Sequence, residues 1–288
     1  MQTMWYCIGQ CTCAPKPEPE KGLLTLFYFV PKEWHNLGFN TTDLGIKGRR
    51  RKFLAFPVFM GGIDPINLIS HLVIFMVVLL LAISAHEAGH AWMSHKFGDD
   101  TAYMLGRVTL NPVKHTDPIG TLLIPIIGFI LGAMGGGLAS IPLIGWGIPT
   151  PVNPRNWTNY KLANVMVSIA GVLANLILLI IGIVIAKILI SQGVFTVRDF
   201  FSDTTNPVVI FVADLMFLNL SLFVFNLLPF PPLDGSQILS TFLPESAQPV
   251  IRMLEQYGYI ILLALIYIGV FRMIITPFYY GLDFLLSI

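Results

Sequence analysis

Residues 67–95 read NLISHLVIFMVVLLLAISAHEAGHAWMSH, and this stretch decides the fold. Twelve uninterrupted apolar residues, Leu72 to Ile83, run directly into the pentad His86-Glu87-Ala88-Gly89-His90. The first half is a helix written for lipid. The second half carries three ionisable side chains at a depth where each costs about 2.5 to 3.5 kcal/mol, even on the lenient insertion scale. On a helix, His86 and His90 are one turn apart on one face, so both imidazoles can reach a single tetrahedral metal. Glu87, one residue beyond the first ligand, is placed to take a proton from the attacking water instead of ligating. The bland alternative is a chance match on a soluble helix; a lipid-facing helix makes it weak, because two histidines and a glutamate need a stabilising partner there.

The rest of the chain agrees with a membrane setting. Charged residues make up 11% of the 288, against roughly 25% in a typical soluble domain. Apolar runs at 66–85, 119–148, 162–190, 207–230 and 259–280 approach or exceed the roughly 20 residues needed to cross hydrocarbon. The expectation is an all-α membrane protein, a multi-pass transmembrane helix bundle. A net charge of +1 gives no basic field for nucleic acid, so that class is set aside. Cys7, Cys11 and Cys13 all lie near the start, one thiolate short of a closed structural zinc site, and read as ordinary free or lipid-modified thiols.

Three divisions follow: an accessory arm over 1–64 with a Pro-rich polar tract and a basic run from Lys47 to Lys52, a core over 65–240, and a C-terminal loop and transmembrane helix over 241–288. The arm lacks the pattern of a cleavable signal peptide. Past the first helix, Thr101–Met104 and Arg107–Leu110 are short strand candidates closed by Asn-Pro and Asp-Pro turn signals, predicting a small β-sheet beside the helix end. Residues 119–148 are apolar but crowded with glycine and proline. Irregular backbone at membrane depth survives only where protein or a water-filled cavity covers it, so a re-entrant hairpin beside the active site is predicted.

Hydrolytic zinc sites usually keep three protein ligands and one open position. Two histidines therefore need a carboxylate from elsewhere, and the later apolar segments offer Asp214, Asp234 and Asp283. Asp234 is best placed. It ends Asn226-Leu-Leu-Pro-Phe-Pro-Pro-Leu-Asp234-Gly235, where prolines break the helix and Gly235 permits an abrupt turn inward; an ordinary Asp-Gly turn is the plain alternative. Asn226 on the same stretch could orient substrate or hold a developing oxyanion, or simply bridge helix backbones.

Five blocks together resemble the site-2 protease family of intramembrane zinc metalloproteases (peptidase family M50), in particular its compact bacterial and archaeal branch without PDZ or CBS domains. They are HEAGHAWMSHKFGDDTA from His86, GRVTLNPVKHTDPIGTLLIP from Gly106, GWGIPTPVNPRN from Gly145, SIAGVLAN from Ser168 and NLLPFPPLDG from Asn226. The resemblance implies one zinc ion held by His86, His90 and Asp234, with Glu87 as catalytic base and Asn226 close to the metal. It also implies transmembrane protein substrates in a lipid bilayer, cut in or near their membrane segments, and a prokaryotic cell membrane with the zinc near its cytosolic side. Val172 and Ile148 to Thr150 depart from the family pattern. Two crossings, 162–190 and 207–230, return the chain to the side it left, so 119–148 should make no net crossing. The strands around Tyr103 and Val108 are expected to offer an edge to which an unwound substrate adds. Competing readings are an HExxH protease whose third ligand is a later Glu, and a non-catalytic metal carrier or client-binding pseudoprotease; Glu87 speaks against the second.

Overall fold

The computed structural model describes residues 65–134, 145–202 and 204–288. The accessory arm, its cysteines and basic run, and the glycine-rich tip of the predicted hairpin lie outside the described residues. The described residues form eight α-helices: α1 (Pro65–Lys96), α2 (Thr101–Met104), α3 (Ile124–Met134), α4 (Tyr160–Ser191), α5 (Pro207–Asn226), α6 (Asp234–Phe242), α7 (Gln248–Tyr267) and α8 (Val270–Ser287). Among the described residues, four helices are long and apolar enough to cross a membrane: α1, α4, α5 and the Pro249–Tyr267 part of α7.

α1 is apolar all round over its first half, and packing selects its inner face. Phe75, Val78, Leu79, Ala82 and Ile83 are buried, followed on the same stripe by His86, Glu87, Ala91 and Ser94, while Ile69, Val73 and Val77 point outward. The three- and four-residue spacing is that of one helix face. α4 begins where Asn159 accepts the Leu162 N–H (3.2 Å), and it turns Ala163, Val167, Ala170, Gly171 and Asn175 inward. Small residues bring the backbones together: a Cβ on Gly89 would stand 2.7 Å from the Ala170 carbonyl oxygen, and one on Gly182 would stand 2.8 Å from Met216 Cγ. α5 starts with Pro207 behind an Asn206 cap that accepts from the Val208 and Val209 N–H groups, and it is the most enclosed of the candidate spans. α6 packs on α4 through Asn164, whose Nδ2 donates to the Gln237 carbonyl (3.0 Å) and Thr241 Oγ1 (2.7 Å).

The predicted small sheet is not there. The described residues are all helix, turn or irregular, with no strand. Thr101–Met104 is the helical turn α2, and Val108 sits in a bend. Local bonds decide this: Asp99 takes the Thr101 N–H and hydroxyl, Met104 N–H closes on the Asp100 carbonyl (2.9 Å), and Gly106, at φ +65°, lets Arg107 N–H return to the Ala102 carbonyl (2.9 Å). β-prone side chains at Tyr103 and Val108 have no neighbouring strand to pair with, and propensity without a partner does not make a sheet. The substrate edge expected at these residues falls with it.

The 119–148 segment leaves and re-enters at one place. Trp146 N–H donates to the Gly120 carbonyl (3.2 Å), Thr121 Oγ1 to the Trp146 carbonyl (2.7 Å), and Ile148 N–H to the His115 carbonyl (2.9 Å). A π-helical turn, Pro118–Leu123, runs straight into α3. The apolar run 259–280 is divided: Gly269, at φ +83°, separates α7 from α8, and α8 folds back onto α5 through Phe271 against Phe225 (centroids 5.1 Å apart) and Tyr279 against Ser221 (2.8 Å).

Asp99, just past the end of α1, ties this end of the bundle together. Its carboxylate accepts from Ser94 (3.0 Å), Asn153 N–H (2.7 Å) and Asn156 (3.1 Å) besides Thr101. Burial alone would raise its pKa, but the bonds from Thr101, Asn153 and Asn156 outweigh burial and hold it below the usual value. A folded pKa below the unfolded one means stability that is fully present above the unfolded value and lost as pH falls through the folded one. Asp99→Asn should therefore lower the thermal midpoint near pH 7 and flatten its decline below about pH 4, measured by unfolding in detergent.

Candidate metal centre

Three elements bring one cluster together. α1 presents His86 and His90, and the proline-broken turn after α5 delivers Asp234 at the start of α6. One ligand atom from each lies within 4.8 Å of the others. His86 Nε2 and His90 Nε2 are 3.0 Å apart, and Asp234 Oδ2 is 3.1 Å from the first and 3.5 Å from the second.

The protons can be placed from the far side of each ring. His90 Nδ1 is 2.7 Å from the Val167 carbonyl, which can only accept, so Nδ1 carries the proton. His86 Nδ1 is 2.7 Å from Asn175 Oδ1. That atom is the amide oxygen because Asn175 Nδ2 donates elsewhere, to the Ala82 carbonyl (3.3 Å) and to Asn219 Oδ1 (3.0 Å), and Asn219 Nδ2 in turn donates to the Leu215 carbonyl (2.8 Å). A relay of amides across α1, α4 and α5 thus fixes the tautomer of His86. When both rings are neutral, as metal ligation requires, each Nε2 turns a bare lone pair toward the other and toward a carboxylate oxygen. Asp234 Oδ2 is buried with no hydrogen-bond donor. Three unprotonated donor atoms converging without a proton among them are repulsive unless a cation sits between them, and two imidazoles with one carboxylate are a zinc donor set with an open position.

Space is reserved for the rings. A Cβ on Gly171 would collide with Nε2 and Cε1 of His90 and stand 2.9 Å from Cε1 of His86. Gly235 is equally constrained, because a Cβ there would run into the Leu227 and Leu228 carbonyls, so the turn that presents Asp234 requires glycine. Glu87 is buried beside the cluster and not in it. Its Oε2 accepts the Thr150 N–H (2.8 Å), and its backbone carbonyl accepts the Thr150 hydroxyl (2.9 Å), so the returning limb of the hairpin holds it from two sides.

The other sequence-derived candidates fare differently. Asn226 is buried at the end of α5, with one amide N–H donated to the Leu222 carbonyl of its own helix (3.0 Å) and no hydrogen bond to the three cluster residues. Tyr103 is exposed and stacks on His95 (centroids 4.4 Å apart) away from the cluster. Asn175, Asn219 and Thr150 carry no role in the sequence reading, and Gly171 enters it only as one of the small residues that permit close helix contact. The two asparagines did leave a signal, since a lone amide in an apolar helix needs a partner. Thr150 left none, because its partner is Glu87, in a helix that ends long before it in the chain. Asn175→Leu removes the acceptor that orients His86, and zinc affinity should fall about 10- to 100-fold, as it does when such outer partners are lost. Competition with a chelator checks this; unchanged affinity would mean the ring is held by something else.

The comparisons with known proteins point to zinc. The family model for peptidase family M50 matches residues 74–269. A Bacillus subtilis protein named "Putative zinc metalloprotease YwhC" is 37% identical over 201 residues, covering 70% of this chain and 82% of that protein. Proteins named "Putative zinc metalloprotease Rip2" from Mycolicibacterium smegmatis and Mycobacterium tuberculosis are 28% and 26% identical, over 70% and 76% of this chain and 71% and 82% of theirs. No solved structure matches the chain.

Proposed function

The chain belongs to peptidase family M50, and on that premise we propose that it hydrolyses peptide bonds in or near the transmembrane segments of membrane-protein substrates. It is a zinc metalloprotease and an integral membrane protein. The observation that carries the finer reading is the convergence of His86, His90 and Asp234 among apolar helices of membrane-spanning length. His86 lies ten residues before the end of α1, roughly 15 Å in from it, so the bond to be cut must enter the bundle to reach the site.

Zinc, when bound, supplies a Lewis acid that acidifies water and polarises the scissile carbonyl. His86, His90 and Asp234 hold it. Glu87 takes a proton from the attacking water and delivers it to the leaving amine. Thr150 clamps Oε2 of Glu87 and leaves Oε1 for that transfer. The site lies toward the cytosolic face of a prokaryotic cell membrane. Lys96, Arg107, Lys114, Arg155 and Lys161 flank this end of the bundle, where Thr158 N–H bonds the Phe97 carbonyl (2.9 Å). Lys187 and Arg198 stand toward the other end and the basic run Lys47 to Lys52 precedes α1 there, so the cytosolic placement rests on the family and not on the charge distribution.

The test is the full chain in proteoliposomes with a single-span reporter protein. Cleavage should stop with a zinc chelator, return with zinc, and map by mass spectrometry to a bond within or beside the span. Zinc-dependent cuts found only far from the membrane segment would contradict the reading.

A further inference from the structure

His115 is fully buried in the loop between α2 and the hairpin, and the chemistry above does not use it. Its Nε2 is 2.9 Å from the Thr109 carbonyl, so the ring proton sits on Nε2 and Nδ1 carries a lone pair. That Nδ1 is buried without a hydrogen-bond partner. Among the described residues one other buried side-chain atom is in that position, Asp234 Oδ2, and it belongs to the metal cluster. A buried acceptor without a donor is costly and calls for a partner from outside the chain.

The placement says which partner. Ile148 N–H donates to the His115 carbonyl (2.9 Å), and two residues later Thr150 N–H donates to Glu87 (2.8 Å), so one short limb is bonded to both His115 and the base. The charged groups whose fields act on the ring are Glu87 and Arg107. Burial lowers its pKa, the Thr109 bond and Glu87 oppose that, Arg107 adds to it, and the net shift is downward, so the ring is neutral near pH 7.

We propose that His115 is a substrate-touching residue of the proteolytic reaction, its Nδ1 accepting a hydrogen bond from the N–H of the scissile peptide bond while Glu87 delivers a proton to the same nitrogen. The inference rests on the protease reading above. As the leaving nitrogen gains that proton its N–H becomes a stronger donor, so the bond tightens in the transition state more than in the bound substrate. No proton passes to His115.

The experiment uses the full zinc-loaded chain and two quenched fluorescent apolar peptides, identical except that one has an ester oxygen in place of the scissile N–H, with the cut site mapped by mass spectrometry. His115→Phe should lower kcat on the amide roughly 10- to 100-fold, the loss of one hydrogen bond to a group acquiring charge. KM, zinc content and the ester rate should stay nearly unchanged. His115→Gln, which keeps an acceptor, should recover part of the amide rate, without the acid limb that protonation of His115 gives the wild type. Equal losses on both peptides, or loss of zinc or fold in His115→Phe without recovery in His115→Gln, overturn the proposal and leave His115 structural. Cleavage of neither peptide by the wild type with zinc bound overturns the protease reading itself.

Discussion

Glu87→Gln is expected to keep its zinc and lose proteolysis by roughly two to four orders of magnitude, the range that removal of a positioned general base produces. Glu87 is not one of the three clustered residues, so the metal stays, and glutamine keeps an oxygen for the Thr150 N–H that now bonds the carboxylate. What disappears is the basicity. The variant separates enzyme from carrier cleanly, since a membrane metal carrier has no use for a base beside its first ligand and would keep transport. Zinc stoichiometry and reporter cleavage, measured on the same preparation, decide it. Full cleavage by Glu87→Gln would remove Glu87 from the mechanism.

Asp234→Ala is expected to release the metal. It leaves two imidazoles of a three-ligand set, so affinity should fall further than the 10- to 100-fold typical of losing an outer partner, and activity should fall with it. The turn itself depends on Gly235 packed against the Leu227 and Leu228 carbonyls and on buried Leu233, so the backbone should survive the change. Asp214→Asn is the matched control: it alters another buried carboxylate on the neighbouring helix, outside the cluster, and should leave zinc content intact. Equal zinc loss in both variants would point to general damage to the bundle and against ligation.

What could be read in advance follows the range of the interactions. The histidine pair needs one helix and its 3.6-residue period, so His86 and His90 were legible, as was Glu87 beside them. Asp234 was reachable by elimination, because few carboxylates stand in the later apolar segments and one of them ends a proline-broken helix. The sheet was misread because the β-prone side chains at Tyr103 and Val108 say nothing about whether a second strand is near, and Asp99 had already drawn Thr101 into a helical turn. The last apolar run, 259–280, reads as one segment, yet Gly269 stands inside it in a conformation that breaks it in two. Thr150 on Glu87 and Asn175 on His86 join residues far apart in the chain, and no local pattern announces such pairs.

The central claim is that two imidazoles of α1 and the carboxylate of Asp234 hold one zinc ion. X-ray absorption at the zinc K edge of the purified full chain tests it most directly. The account predicts one zinc per chain with a first shell of nitrogen and oxygen only, near 2.0 to 2.1 Å, and the outer-shell scattering of two imidazoles. A sulfur shell near 2.3 Å, which would bring in Cys7, Cys11 or Cys13, or a spectrum unchanged in Asp234→Ala, would contradict it.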